Sequence, residues 1–91
     1  MYKIGYAGSF KKDYKRIKKR GYDISLLEKA IVILQETGTL PPENKPHKLE
    51  GKKYKGLWEA HLQPDWLLVW DKNEQELKLM LMYTGTHSDL F

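Results

Sequence analysis

Three histidines and one aspartate have the types and spacing to move protons. His47, His61 and His87 all fall in the second half of a 91-residue chain. His61 stands four residues before Asp65, across the turn signal Gln63-Pro64-Asp65, so an imidazole and a carboxylate belong at one sheet edge. His87 follows the strand that would complete that sheet. Imidazole titrates near neutrality, so a pair of such rings, or one ring with a carboxylate, can take a proton from a nucleophile and return one to a leaving group. On a ribonucleotide chain the corresponding reaction is internal transesterification. A base frees the 2′-oxygen to attack phosphorus and an acid protonates the departing 5′-oxygen, with lysines near the non-bridging oxygens and aromatic faces holding unstacked bases.

Spacing alone leaves other readings open. Each histidine also reads as an ordinary surface residue. A metal site from His47, His61, Asp65 and His87 would draw its ligands from separate turns without HExxH-like spacing, so no metal and no cofactor is expected. The absence of cysteine excludes thiolate nucleophiles, disulfides and Cys-containing metal sites. Trp58, Trp66 and Trp70 read as core aromatics, with Trp66 also a candidate base contact. Tyr83 reads as a core or a sheet-surface ring, and Phe91 as a fastener of the chain end or a stacking surface.

Charge gives the chemistry a direction. The net charge is +4, and eight of the sixteen basic residues lie among residues 1–20, where Asp13 is the only acid. Lys45, Lys48, Lys52, Lys53 and Lys55 form a second cluster. Such clusters suit a polyanion such as RNA or an acidic protein segment, or they are solvated faces. Apolar runs stop at five residues, too short for a membrane span, and no apolar stretch backs the N-terminal lysines as in a secretory leader, so a cytoplasmic protein without membrane contact is expected.

The elements that must position these residues follow from periodicity. Tyr2, Ile4 and Tyr6 alternate as a strand. Ser9 is placed to cap a helix that aligns Phe10, Tyr14 and Ile17 on one face, turns Lys11, Lys12, Lys15, Lys18 and Lys19 outward, and stops at Gly21. Ser25 and Glu28 read as a capping box for a second helix running to Gly38. Pro41, Pro42 and Pro46 make 39–53 an extended surface loop carrying His47. Strands are expected over 57–62, 66–70 and 76–83, then a short terminal turn to Phe91. The whole is one α+β domain over 1–91, with a helix hairpin on one face of an antiparallel sheet and the other face free for a large ligand.

Three segments then carry a resemblance: His47-Lys48-Leu49-Glu50-Gly51, the stretch from Glu59-Ala60-His61 through Pro64-Asp65-Trp66, and Thr84-Gly85-Thr86-His87 through Leu90-Phe91. Together they resemble the YafQ branch of the RelE/ParE superfamily of type II toxin-antitoxin toxins. The resemblance implies a RelE-like, microbial-ribonuclease-like fold and a ribosome-dependent endoribonuclease that cuts mRNA in the A site without metal. It implies a RelB/DinJ-like antitoxin as partner, ribosome and mRNA as targets, and operator DNA only through the antitoxin complex. His47, His61, Asp65 and His87 match the catalytic positions: His87 as general acid, Asp65 and His61 on the 2′-OH side, His47 on phosphate. Lys52, Lys53, Lys55, Trp66, Tyr83 and Phe91 would contact RNA, and Lys11, Lys12, Lys15, Lys18 and Lys19 would dock the ribosome. The family usually carries arginine where this chain has Tyr83, and a phenol has no positive charge at pH 7. The resemblance therefore implies reduced activity, or alternatively a non-catalytic protein acting by ribosome occupancy or autoregulation. Gyrase inhibition, as in the ParE branch, leaves the histidines without a purpose.

Overall fold

Alternation in the first residues becomes strand β1 (Lys3–Tyr6) in the computed structural model, which describes residues 1–91. Helix α1 (Gly8–Lys19) follows, burying Phe10, Asp13 and Ile17 and leaving its five lysines exposed. Its N-cap is Ala7, not Ser9. The helix starts one residue before Ser9, so the Ser9 hydroxyl lies inside the first turn and donates to the Met82 carbonyl at 2.6 Å, tying α1 to the sheet. Helix α2 (Ile24–Thr37) is capped by Asp23, whose carboxylate accepts from the Ser25 amide at 3.1 Å and the Ser25 hydroxyl at 2.6 Å. The expected Ser25–Glu28 box is therefore not made, because Asp23, two residues earlier, takes the Ser25 amide that Glu28 would have accepted and turns the Ser25 hydroxyl toward itself as a donor. Gly38, at φ 78°, ends α2 in the left-handed region.

The segment 39–53 is less irregular than its prolines suggest. A 3₁₀ turn (Pro42–Asn44) leads into a two-residue strand, β2 (His47–Lys48), which pairs antiparallel with β3 (Trp58–Gln63). His47 thus sits on a sheet edge, directly opposite Glu59. Strands β4 (Trp66–Asn73) and β5 (Lys78–Gly85) complete a sheet of order β1-β5-β4-β3-β2, followed by helix α3 (His87–Leu90). The α+β class stands, but the sheet is mixed: β1 runs parallel to β5. Those two strands are joined by the whole intervening chain and no hairpin fixes their relative direction.

Alternation along β4 divides the molecule into two cores. Trp66, Leu68 and Trp70 face the helices, where they meet Phe10, Ile17, Leu27 and Leu34; Leu67 and Val69 face the opposite side and pack with Leu90. The far face is therefore not bare. Leu49 and Leu57 from the lysine loop and Tyr83 from β5 pack there as well. The β4–β5 register slips between Val69 and Trp70, pairing Val69 with Tyr83 and Trp70 with Leu81. This bulge leaves Met82 without an opposite number and lets Met82 and Tyr83 both lie against the far-face core.

Candidate active site

His87 is the first residue of α3, at the end of β5, and Asp65 lies in the β3–β4 turn. One oxygen of Asp65 takes two donors from the same residue: the His87 amide at 2.9 Å and its ring Nδ1 at 2.6 Å. A carboxylate only accepts, so Nδ1 carries hydrogen and the ring's Nε2, without a protein partner, points the chemistry outward. The His87 amide, and secondarily its ring, hold the Asp65 carboxyl below its usual range. Asp65 is thus hydrogen-bonded to His87, and no hydrogen bond joins it to His61.

The His61 ring stands 5.8 Å from that of His87, centroid to centroid. Its Nδ1 lies 3.3 Å from the Pro64 carbonyl, which again can only accept, so the neutral ring presents a lone pair at Nε2. Two imidazoles with open Nε2 atoms, one held through Nδ1 by a carboxylate and one by a carbonyl, therefore stand side by side, an arrangement able to take up one proton and release another. A second slip of register between His61 and Gln63 lies at this point in β3. A depression of about 440 Å³ opens beside it, lined by Asn44, Lys45, His61 and Gln63 among others.

His47 does not join this pair. Its ring faces the Lys45 carbonyl through Nδ1 at 2.9 Å and Glu59 Oε1 through Nε2 at 3.3 Å. Two acceptors engage both nitrogens at once only when the ring is protonated. Glu59 is buried, and its other oxygen has no hydrogen-bond partner. Two residues along one strand face, about 7 Å, separate Glu59 from His61, so a buried carboxylate stands beside the two imidazoles. Nothing in the sequence singles Glu59 out, although it is in phase with His61 in the expected strand.

The aromatic candidates divide. Phe91 is exposed, 6.5 Å from the His87 ring. Tyr83, half-buried, meets the edge of Tyr54 at 5.3 Å, and Tyr54 also packs against Phe91 at 5.2 Å. Tyr54, a lone aromatic in the lysine loop that the sequence did not single out, is buried and donates its hydroxyl to the Leu90 carbonyl at 2.6 Å. Trp66 corrects the expectation of base contact: it is 1% exposed, faces the helices against Tyr22, and donates Nε1 to Thr84 at 2.9 Å, leaving no face for a nucleobase.

Lys52, Lys53 and Lys55 are all exposed, Lys53 with its ammonium 5.2 Å over the Tyr54 ring, one ring away from Tyr83. Lys52 and Lys55 line a depression of about 590 Å³. Lys11, Lys12, Lys15, Lys18 and Lys19 project from α1, on the other side of the sheet from Tyr83 and Leu90.

A small α+β domain with α1 and α2 on one sheet face, and two open imidazoles, a carboxylate and a lysine loop toward the other, carries groups suited to moving protons beside a polyanion. The chain's sequence matches, over residues 2–91, the family model described as the bacterial toxin of type II toxin-antitoxin system, YafQ. The chain belongs to this family. It is 37% identical over 89 residues to the mRNA interferase toxin YafQ of Escherichia coli strain K12, covering 97% of this chain and 94% of that one. Among solved structures it superposes on a YafQ mutant from E. coli with a TM-score of 0.89 at 34% identity, over 100% of this chain and 99% of the other. It matches a chain of the E. coli DinJ-YafQ complex with a TM-score of 0.86 at 35% identity, with the same coverage.

Proposed function

We propose that this chain is an mRNA endoribonuclease toxin that cleaves in the ribosomal A site in the cytoplasm and is silenced by a DinJ-like antitoxin. The observation that carries the chemistry is the double contact of His87 with Asp65, 5.8 Å ring-to-ring from His61. His61 Nε2 removes the 2′-OH proton and the 2′-oxygen attacks phosphorus. The bond to the 5′-oxygen breaks, and His87 Nε2–H protonates that oxygen, leaving a 2′,3′-cyclic phosphate and a 5′-hydroxyl. Asp65 fixes the His87 ring through Nδ1 and leaves Nε2 to face the departing oxygen. Lys53, with Lys52 and Lys55, supplies charge for the phosphorane that Tyr83 does not, while Phe91 offers a ring for stacking. The lysines of α1 dock ribosomal RNA. His47, exposed and hydrogen-bonded through Nδ1 to the Lys45 carbonyl, contacts phosphate at the edge of the site through Nε2, which faces Glu59 at 3.3 Å in the free protein.

Induced expression should arrest growth, and His87→Gln, which keeps a polar side chain but no titrating acid, should abolish the arrest and lower cleavage by about 10²- to 10⁴-fold. Arrest that persists unchanged in His87→Gln contradicts nuclease action. The one observation favouring the second reading, action by occupancy, is the uncharged Tyr83 held edge-on to Tyr54. Under that reading arrest persists in His87→Gln while ribosomes still carry the protein.

A further inference from the structure

Helix α3 has only four residues, too few to hold its own shape, yet it sets the position of His87. Its far end is fastened by the Tyr54 hydroxyl on the Leu90 carbonyl. Its first turn is held by Asp89. Oδ2 of Asp89 accepts the Thr86 amide at 2.9 Å, while Thr86 Oγ1 accepts the Asp89 amide at 3.1 Å, a reciprocal box closed one residue before His87. The same carboxylate receives both arms of the Arg20 guanidinium, Nη1 to Oδ2 at 2.7 Å and Nη2 to Oδ1 at 3.1 Å, across 69 residues of sequence. A Cβ on Gly85 would come within 2.8 Å of Asp89 Oδ2, so a bare glycine at the end of β5 lets the carboxylate fold back over the chain. Arg20 is itself anchored, as the C-cap of α1 with its amide on the Arg16 carbonyl.

Resting on the reading of His87 and Asp65 given above, we propose that Arg20 and Asp89 form a positioning latch, an ion pair that ties the first turn of α3 to the end of α1 and so keeps His87 seated on Asp65. The Arg20 fork, and less strongly Thr86, hold the Asp89 carboxyl well below the usual carboxylate range, so it is ionised wherever the enzyme works. A bidentate pair fixes orientation as well as distance, which a single lysine contact would not. Arg20 thus belongs functionally with the site, although it lies at the end of the basic helix expected to dock RNA.

Asp89→Ala separates positioning from plain electrostatics, because the two act on Asp65 with opposite sign. The charge of Asp89 raises the Asp65 pKa, so removing it through space alone lowers the Asp65 midpoint. Loosening His87, whose two hydrogen bonds are what depress Asp65, raises it. The expected result, read by carboxyl NMR titration of the full chain, is an upward shift of the Asp65 midpoint in Asp89→Ala, with kcat on ribosomes down about tenfold or more at unchanged KM. Arg20→Lys, which keeps the charge without the fork, should fall between. An Asp65 midpoint that drops or stays put, or a loss confined to KM, overturns the latch. If Asp89→Ala does not fold, Asp89→Asn, which keeps an acceptor for Thr86, carries the same titration. Absence of cleavage by the unsubstituted protein would refute the proposed activity, while the Asp65 titration still decides the latch.

Discussion

Replacing Tyr83 by arginine puts a guanidinium beside the proposed scissile phosphate and tests what the phenol lacks. The substitution has a calculable cost. The Tyr83 ring meets Tyr54 edge-on at 5.3 Å, and losing that pairing should cost about 0.5–1.5 kcal/mol. In a domain of this size each kcal/mol moves the melting temperature by about 4–8 °C, so Tyr83→Arg should melt about 2–12 °C lower. Against this stands one charge-assisted donor aimed at an oxyanion, an interaction whose removal elsewhere lowers kcat by about 10²- to 10³-fold. Tyr83 is only half-buried, and solvent screening favours the lower end, about 10²-fold. The assay is single-turnover cleavage of A-site mRNA at saturating toxin, with the melting temperature read in parallel and Tyr83→Lys as a variant that brings charge without a fork. Faster cleavage by Tyr83→Arg, with Tyr83→Lys between, is expected. A rate unchanged or lower in a protein that is still fully folded at the assay temperature refutes the assignment of a missing phosphate ligand to this position.

Three further outcomes follow from the geometry. Asp13 is buried and accepts the Thr84 amide at 3.1 Å, so Asp13→Ala should orphan that donor and destabilise by about 1–3 kcal/mol in a denaturant titration, whereas an unchanged midpoint would mean the bond contributes nothing. Asp89, through Arg20, and Asp65, through the His87 amide and ring, have folded pKa values below their unfolded ones. Their stabilisation is therefore fully present above the ordinary aspartate pKa near 4 and is lost as pH falls through the lower folded values. The melting temperature should drop below about pH 4, and Asp89→Ala should lose much of that dependence; equal acid sensitivity in both proteins would contradict the sign. Ribosome association should fall steeply with salt, and replacing Lys11 and Lys15 with glutamine should reduce the log–log slope by roughly 0.7–0.9 for each phosphate that is no longer neutralised. A slope identical to the original removes α1 from the interface.

Periodicity carried the architecture because alternation and amphipathic spacing record burial directly: the 66–70 run became a fully buried strand, and the 10, 14, 17 face packed inward. Side-chain competition was less legible. Ser9 and Ser25 have capping chemistry, but Ser9 found a carbonyl on β5 and Ser25 bonds to Asp23, outcomes that depend on which partner lies within reach once the helices are packed. The turn signal put Asp65 at one sheet edge with His61 and left the meeting with His87 open, because the two-bond contact depends on where α3 begins. Trp66 shows the limit most clearly. The resemblance implied a base-contacting ring there, but the alternation that already read it as core holds and sends it to the helices. Arg20 and Tyr54 act across 69 and 36 residues of sequence, a distance no local pattern spans.

The most direct test of metal-free acid–base cleavage uses an mRNA labelled at its 5′ end on ribosomes programmed with a vacant A site, beside the same mRNA free in solution. The toxin is treated with EDTA and freed of chelator before it meets magnesium-loaded ribosomes. A single cut in the A-site codon, ending in a 2′,3′-cyclic phosphate and absent both from free mRNA and from the His87→Gln reaction, is the expected result. Intact mRNA from a folded toxin that co-sediments with the ribosomes would contradict it and leave occupancy as the mode of action.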